Sequence, residues 1–238
     1  MEFWYNYNLK HVTNPKLQMP HKKYHIDSIY NIRESHLKHN QTKEQKKRQM
    51  DVKEFFDNIA PRWDSLEHHT RADLLPFVAQ AVDSGGKVLD LGCGTGIISG
   101  ILHDDLHCDV TALDISAEMI ALAKQKYADR PEIRFVCGDL FAFDEGGFDT
   151  VVVFNAYPHF TDQQAFADRL YQVLAPHGKF AILHNIGRAT LDKCHDGAEQ
   201  ISRQLLPVQQ EAELYATDYT ILRAEETDDS YILIGEKK

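Results

Sequence analysis

The run Val88-Leu89-Asp90-Leu91-Gly92-Cys93-Gly94-Thr95-Gly96 carries the strongest chemical signal in the sequence. An apolar stretch leads into three glycines spaced two apart, and a helix-forming stretch follows. Glycines let the backbone pass close beneath a ligand, and the N–H groups at a helix start lack intrahelical partners. Taken alone, this spacing also suits a purely structural tight turn. Asp114 narrows the choice, because it closes the next apolar run 22 residues after Gly92. In a strand–helix–strand unit that places a carboxylate over the turn, where it can accept both hydroxyls of a ribose. A nicotinamide dinucleotide site uses the same acid, but its loop reads G-x-G-x-x-G to seat a pyrophosphate. Here an acid, Asp90, precedes the glycines. A carboxylate there repels pyrophosphate and suits a cofactor bearing an amino group and a sulfonium.

Histidine supplies the second set of candidates. Eight lie beyond residue 50: His68, His69, His103, His107, His159, His177, His184 and His195. His103 and His107 fall near the helix after the glycine loop and are expected to face solvent. His159 follows one apolar run, His184 ends the next, and His195 lies just beyond. If those runs are parallel strands, His159 and His184 stand at the carboxyl edge of the sheet, where open α/β folds bind ligands. Imidazole accepts a proton near neutral pH without a large pKa shift. His159, His184 and His195 are therefore the candidate catalytic residues of an acceptor pocket, with His184 or His195 the better proton acceptor. The rival readings are a core or solvated histidine, or a metal site completed by Cys194. Their spacing matches no metal motif, so no metal is expected.

The elements that must position these residues are legible from periodicity. Val52, Phe55, Phe56 and Ile59 share one face of a short helix that Pro61 ends. Thr70 with Asp73 marks another helix start, continued by Leu74, Phe77, Val78 and Ala81 and ended by Gly85-Gly86. Strands are expected at Lys87–Leu91, Asp109–Leu113, Ile133–Cys137, Thr150–Phe154 and Lys179–His184. Helices are expected at about 97–105, 116–127 and 162–174, the last opened by a Thr161/Gln164 capping box. Continuous apolar strands such as Val151-Val152-Val153-Phe154 predict a sheet covered on both faces. After Asn185 a helical stretch is expected over about 188–215, then strands Tyr219–Ala224 and Tyr231–Gly235. The short acidic link between those two predicts an antiparallel pair. The fold class is therefore α/β: a Rossmann-like, doubly wound, mostly parallel seven-stranded sheet with an antiparallel C-terminal strand pair.

Bulk properties bound the function. The chain has 238 residues, a 43% hydrophobic share and a net charge of −10. Residues 1–49 hold ten Lys/Arg against four Asp/Glu, and the rest holds 16 against 32. The domains read as a basic tail, 1–49, and one domain, 50–238, with a helical insertion at about 186–217. So acidic a body repels phosphate backbones, which argues against nucleic acid as substrate. No apolar run reaches the roughly 18 residues needed to span a bilayer, and the N-terminus lacks a secretory layout. Cys93, Cys108, Cys137 and Cys194 show no C-x-x-C spacing, which suits a reducing compartment; a cytoplasmic location is expected.

Several motifs bear a family resemblance. Phe56-Asp57-Asn58-Ile59-Ala60-Pro61-Arg62-Trp63-Asp64 is similar to an F-D-x-x-A-x-x-Y-D helix. With it go Val88–Gly96, the turn Asp114-Ile115-Ser116-Ala117-Glu118-Met119, Gly138-Asp139-Leu140, and Leu174-Ala175-Pro176-His177-Gly178-Lys179. The last stands for L-x-P-G-G, with His177 in place of a glycine. Over about residues 51–238 the chain resembles the class I S-adenosylmethionine (SAM)-dependent methyltransferases, particularly the branch related to the ubiquinone/menaquinone C-methyltransferases.

The resemblance implies roles for individual residues. Asp90 and the loop Gly92, Cys93, Gly94, Thr95 and Gly96 would hold the methionine end of the cofactor SAM. Asp114 would take the ribose hydroxyls, and Ile115 and Met119 would flank the adenine. Asp139 would accept the adenine amino group, with Leu140 packing beside it. Asn155 would line the site below the methyl group. Core packing is the competing reading for Ile115, Met119 and Leu140, as turn stabilisation is for Asp139. Asn155-Ala156-Tyr157-Pro158 holds the residue types of N-P-P-Y in another order, which argues against methylation of a planar amino group. The implied reaction is in-line transfer of a methyl to a small-molecule acceptor. The alternatives are quinone C-methylation, a non-catalytic SAM-binding regulator and, last, an NAD-dependent oxidoreductase.

Overall fold

The computed structural model describes residues 51–66, 69–194 and 201–238. The expected tail 1–49, His68 and His195 lie outside these residues. The chain opens with α1 (Val52–Ile59), a single 3-10 turn over Ala60–Arg62 and the short α2 (Trp63–Leu66). Pro61 stands in the first turn of the 3-10 segment, where a missing N–H costs nothing. Helix α3 (Arg71–Ala79) starts on a full capping box between Thr70 and Asp73. It stops six residues short of Gly85-Gly86. Those glycines, at φ 79° and 83°, form the turn into the sheet instead of the helix end.

Seven strands follow: β1 (Lys87–Leu91), β2 (Asp109–Asp114), β3 (Arg134–Cys137), β4 (Phe148–Phe154), β5 (Leu174–His184), β6 (Tyr219–Glu226) and β7 (Tyr231–Lys237). They form one sheet in the order β3-β2-β1-β4-β5-β7-β6. The first five run parallel, and β7 lies antiparallel to both β5 and β6. Helices α4 (Ile97–Asp104), α5 (Ala117–Lys126) and α6 (Gln163–Val173) connect the parallel strands. The apolar runs are continuous because both faces of the sheet are covered. Val151, Val153 and Ile182 enter one core layer, while Val152, Ala181 and Leu183 enter the other.

Three expectations at the level of elements are corrected. The cap of α6 is Asp162, whose carboxylate accepts from the Ala165 N–H at 3.0 Å, rather than Thr161. The helical stretch expected over 188–215 divides into α7 (Arg188–Cys194) and α8 (Val208–Glu213). Pro207 sits directly before α8, and its ring cannot occupy a helix interior. Lastly, β5 begins five residues earlier than expected. Within it His177 adopts φ 60°, the left-handed backbone that a glycine takes without strain.

Candidate active site

Where β1 delivers its C-terminal end, Gly92, Gly94 and Gly96 all take positive φ, and Gly96 caps α4. A Cβ on Gly92 would meet the Cβ of Ala156 at 2.6 Å, and one on Gly96 would meet the Phe135 ring at 2.9 Å. The loop is thus held flat against its neighbours. It floors a cavity of about 390 Å³, a volume typical of small-ligand sites. Asp114, at the end of the adjacent strand β2, reaches over it. One carboxylate oxygen accepts from the Gly94 N–H at 2.8 Å and the other from the Ser116 N–H at 2.8 Å. Each oxygen keeps a second lone pair for a ligand hydroxyl. Burial raises the Asp114 carboxyl above its ordinary range, and the two backbone N–H groups partly oppose this.

Asp90 lies deeper, 1% exposed, and accepts from the Ser99 hydroxyl at 2.6 Å. Burial, reinforced by the charge of Asp114, lifts its carboxyl to about 7. An acidic lining of this kind suits a cation better than a phosphate. Ile115, the buried Met119 and the buried Leu140 also line the cavity, together with Asp139. Asp139 also caps a 3-10 turn, accepting from the Phe141 N–H at 3.0 Å, so it combines the turn role with a cavity position.

Part of the lining is aromatic. Phe56, Trp63, Phe154, His159 and Phe160 form it. Phe56 stands edge-on to His159, ring centroids 4.9 Å apart, and to Trp63 at 5.9 Å. Asp64 accepts from the Thr95 hydroxyl at 2.5 Å, and Lys126 bridges Thr95 at 3.0 Å and Asp64 at 2.7 Å. These contacts fasten α2 over the glycine loop. Asp57 performs the same service for α1, accepting from the Ser116 hydroxyl at 2.7 Å. Asn155 ends β4 at φ 53°, and its amide donates to Asn185 at 2.8 Å, joining the ends of β4 and β5 beneath the cavity. A strained backbone of this kind tends to occur at ligand sites.

The two candidate histidines among the described residues, His159 and His184, do not converge. His159 lines the cavity, and its Nδ1 lies 2.9 Å from the Ile201 carbonyl. A carbonyl only accepts, so the proton sits on Nδ1 and the lone pair on Nε2. Burial lowers the pKa of this imidazole. His184 is fully buried and packs against the Tyr231 ring at 5.9 Å, away from the cavity lining. The alternation of β5 accounts for this: His184 follows Phe180 and Ile182 onto the face carrying the main core. His195 lies outside the described residues.

Phe56, Trp63 and Asp64 belong to the quoted N-terminal motif, yet no local pattern assigned them to the cavity. His69, Lys126, Phe141 and Phe160 carried no signal; tertiary folding alone brings them there.

Comparison with known proteins agrees with this architecture. Residues 89–182 match the family model described as a methyltransferase domain. The demethylmenaquinone methyltransferase of Thermus thermophilus is 34% identical over 143 residues, covering 54% of this chain and 63% of that protein. The malonyl-[acyl-carrier protein] O-methyltransferase 1 of Ilyobacter polytropus is 26% identical over 179 residues, covering 72% and 65%. This chain therefore spans less than two thirds of the length of either. A solved protein of Pyrococcus horikoshii shares the fold with a TM-score of 0.61, at 23% identity over 77% of this chain and 99% of that one. Residues 89–182 are thus similar to a methyltransferase domain, and the solved protein shares the fold. In sequence the chain is similar to the demethylmenaquinone methyltransferases.

Proposed function

We propose that the chain transfers a methyl group from SAM to a small-molecule acceptor. The observation that carries this reading is the glycine-floored cavity with the Asp114 carboxylate over it, inside a methyltransferase domain. Asp114 accepts the ribose hydroxyls. Ile115, Met119, Asp139 and Leu140 receive the adenine. Asp90 and Gly92–Gly96, with Cys93 and Thr95 between the glycines, hold the charged tail. SAM supplies the activated methyl, so the protein contributes alignment and exclusion of water. Phe56, Trp63 and Phe160 supply that exclusion beside Asn155. His159 is positioned to take a proton through Nε2 where the acceptor must lose one. A cytoplasmic location accompanies the reading, in keeping with the free thiols Cys93, Cys108 and Cys137. The single domain at 50–238 with its 1–49 tail accompanies it too.

A second reading, quinone C-methylation, draws on the Thermus relative's printed name and on the aromatic wall. Equilibrium binding tests the cofactor: SAM should bind and NAD should not. Labelled methyl from SAM, offered with extracts of cell metabolites or with a naphthohydroquinone, tests turnover. Tight SAM binding with no labelled product would overturn the enzyme in favour of a regulator. His159→Ala should lower turnover while leaving SAM affinity intact.

A further inference from the structure

We infer that Arg203 and Glu211 are positioning residues, which fix the tautomer and orientation of His159 through the strap of residues 201–206. The inference rests on the proton-acceptor role proposed for His159. It starts from a carboxylate with no exposure at all. Glu211, on α8, accepts from Arg203 through Nη2 at 2.6 Å and Nη1 at 3.3 Å. It also accepts from the Tyr157 hydroxyl at 2.6 Å, the Gln163 amide at 3.1 Å and the Leu206 N–H at 3.2 Å. The Tyr157 oxygen in turn lies 2.7 Å from the Tyr215 hydroxyl, so each proton in this chain has one direction.

Arg203 carries the network to the active site. Its guanidinium lies over the Tyr157 ring at 4.6 Å, and its Nε donates to the Phe160 carbonyl at 3.4 Å. Its own N–H donates to the Pro158 carbonyl at 3.0 Å. Arg203 thus grips the residues on both sides of His159. Two residues earlier in the strap, the Ile201 carbonyl receives the His159 Nδ1 proton. The strap thus receives the Nδ1 proton of the imidazole, and a buried ion pair anchors the strap. A buried pair gives little stability over well-packed apolar residues of similar size. What it adds is direction: the planar guanidinium engages a carboxylate and a carbonyl at once. A proton acceptor oriented by a further group is a recurrent catalytic arrangement, here with a neutral carbonyl next to the imidazole.

The decisive measurement is the tautomer of His159, read from long-range 15N–1H correlations of the imidazole in the whole chain without any acceptor. Unaltered protein should show the proton on Nδ1. The double variant Arg203→Met/Glu211→Leu removes both charges together, leaves neither buried alone and should fold. There the tautomers should mix, and methyl transfer to a naphthohydroquinone should fall about 10- to 100-fold in kcat at unchanged SAM affinity. If the double variant does not fold, Arg203→Lys serves instead, since it keeps the charge and loses the fork. A His159 tautomer unchanged in the folded variant overturns the positioning role. Full turnover by His159→Ala overturns the proton-acceptor role instead, so the two failures are distinguishable.

Discussion

Asp90 and Asp114 stand on neighbouring parallel strands, and the fold asks opposite things of them. Asp114 meets two backbone N–H groups at the cavity; Asp90, at the same cavity, is more deeply buried and meets one hydroxyl. Asp114→Asn should weaken SAM binding by about 1.5–3 kcal/mol, the scale of lost charge-assisted hydrogen bonds. Calorimetry on the folded variant checks this, and unchanged affinity removes the ribose assignment. Asp90 yields a pH-dependent prediction. The folded protein keeps its proton up to about pH 7, whereas an unfolded chain releases it near 3.8. Folding therefore takes up a proton between those values, and the contribution of this group to stability falls as pH rises through that window. Asp90→Asn carries no such charge. It should raise the melting temperature more at pH 8 than at pH 5, measured by parallel thermal scans.

Helix starts decide where the walls of the site begin. Thr70 and Asp73 satisfy each other's backbone N–H groups reciprocally, so α3 starts where local chemistry predicts. For α6 two neighbouring residues could each serve, and Asp162 takes the cap. Asp162→Ala should cost about 1 kcal/mol, while Thr161→Ala should stay within about 0.5 kcal/mol. Denaturant titration of the two variants separates them. At the top of the site, α1 and α2 depend on long-range polar ties: Asp57 to Ser116, and Asp64 to Thr95 and Lys126. Their amphipathic spacing is local, but the surface they cover is defined only by α5 and the glycine loop.

Across the whole molecule, charge and burial divide the chain. Residues 50–238 carry the acidic excess and the entire described sheet. A chain beginning at Met50 should keep its melting temperature and most of its SAM affinity, as scanning calorimetry and titration would show. A large loss in either would assign residues 1–49 to the domain. Among the described residues no helix is long and apolar enough to cross a membrane. The sequence by itself determined the strands, the parallel core with its antiparallel end, the glycine loop and Asp114, because each rests on short-range periodicity or on one strand–helix–strand unit. Only the tertiary structure decided which histidine faces the cavity. His184 ends β5 and His159 lies in the turn after β4; strand alternation buries the first against Tyr231, and a segment tied to Arg203 presents the second. The aromatic wall from α1, α2 and the segment after β4 was equally beyond reach. Its residues are up to about a hundred positions apart, and no local pattern records which surfaces will meet.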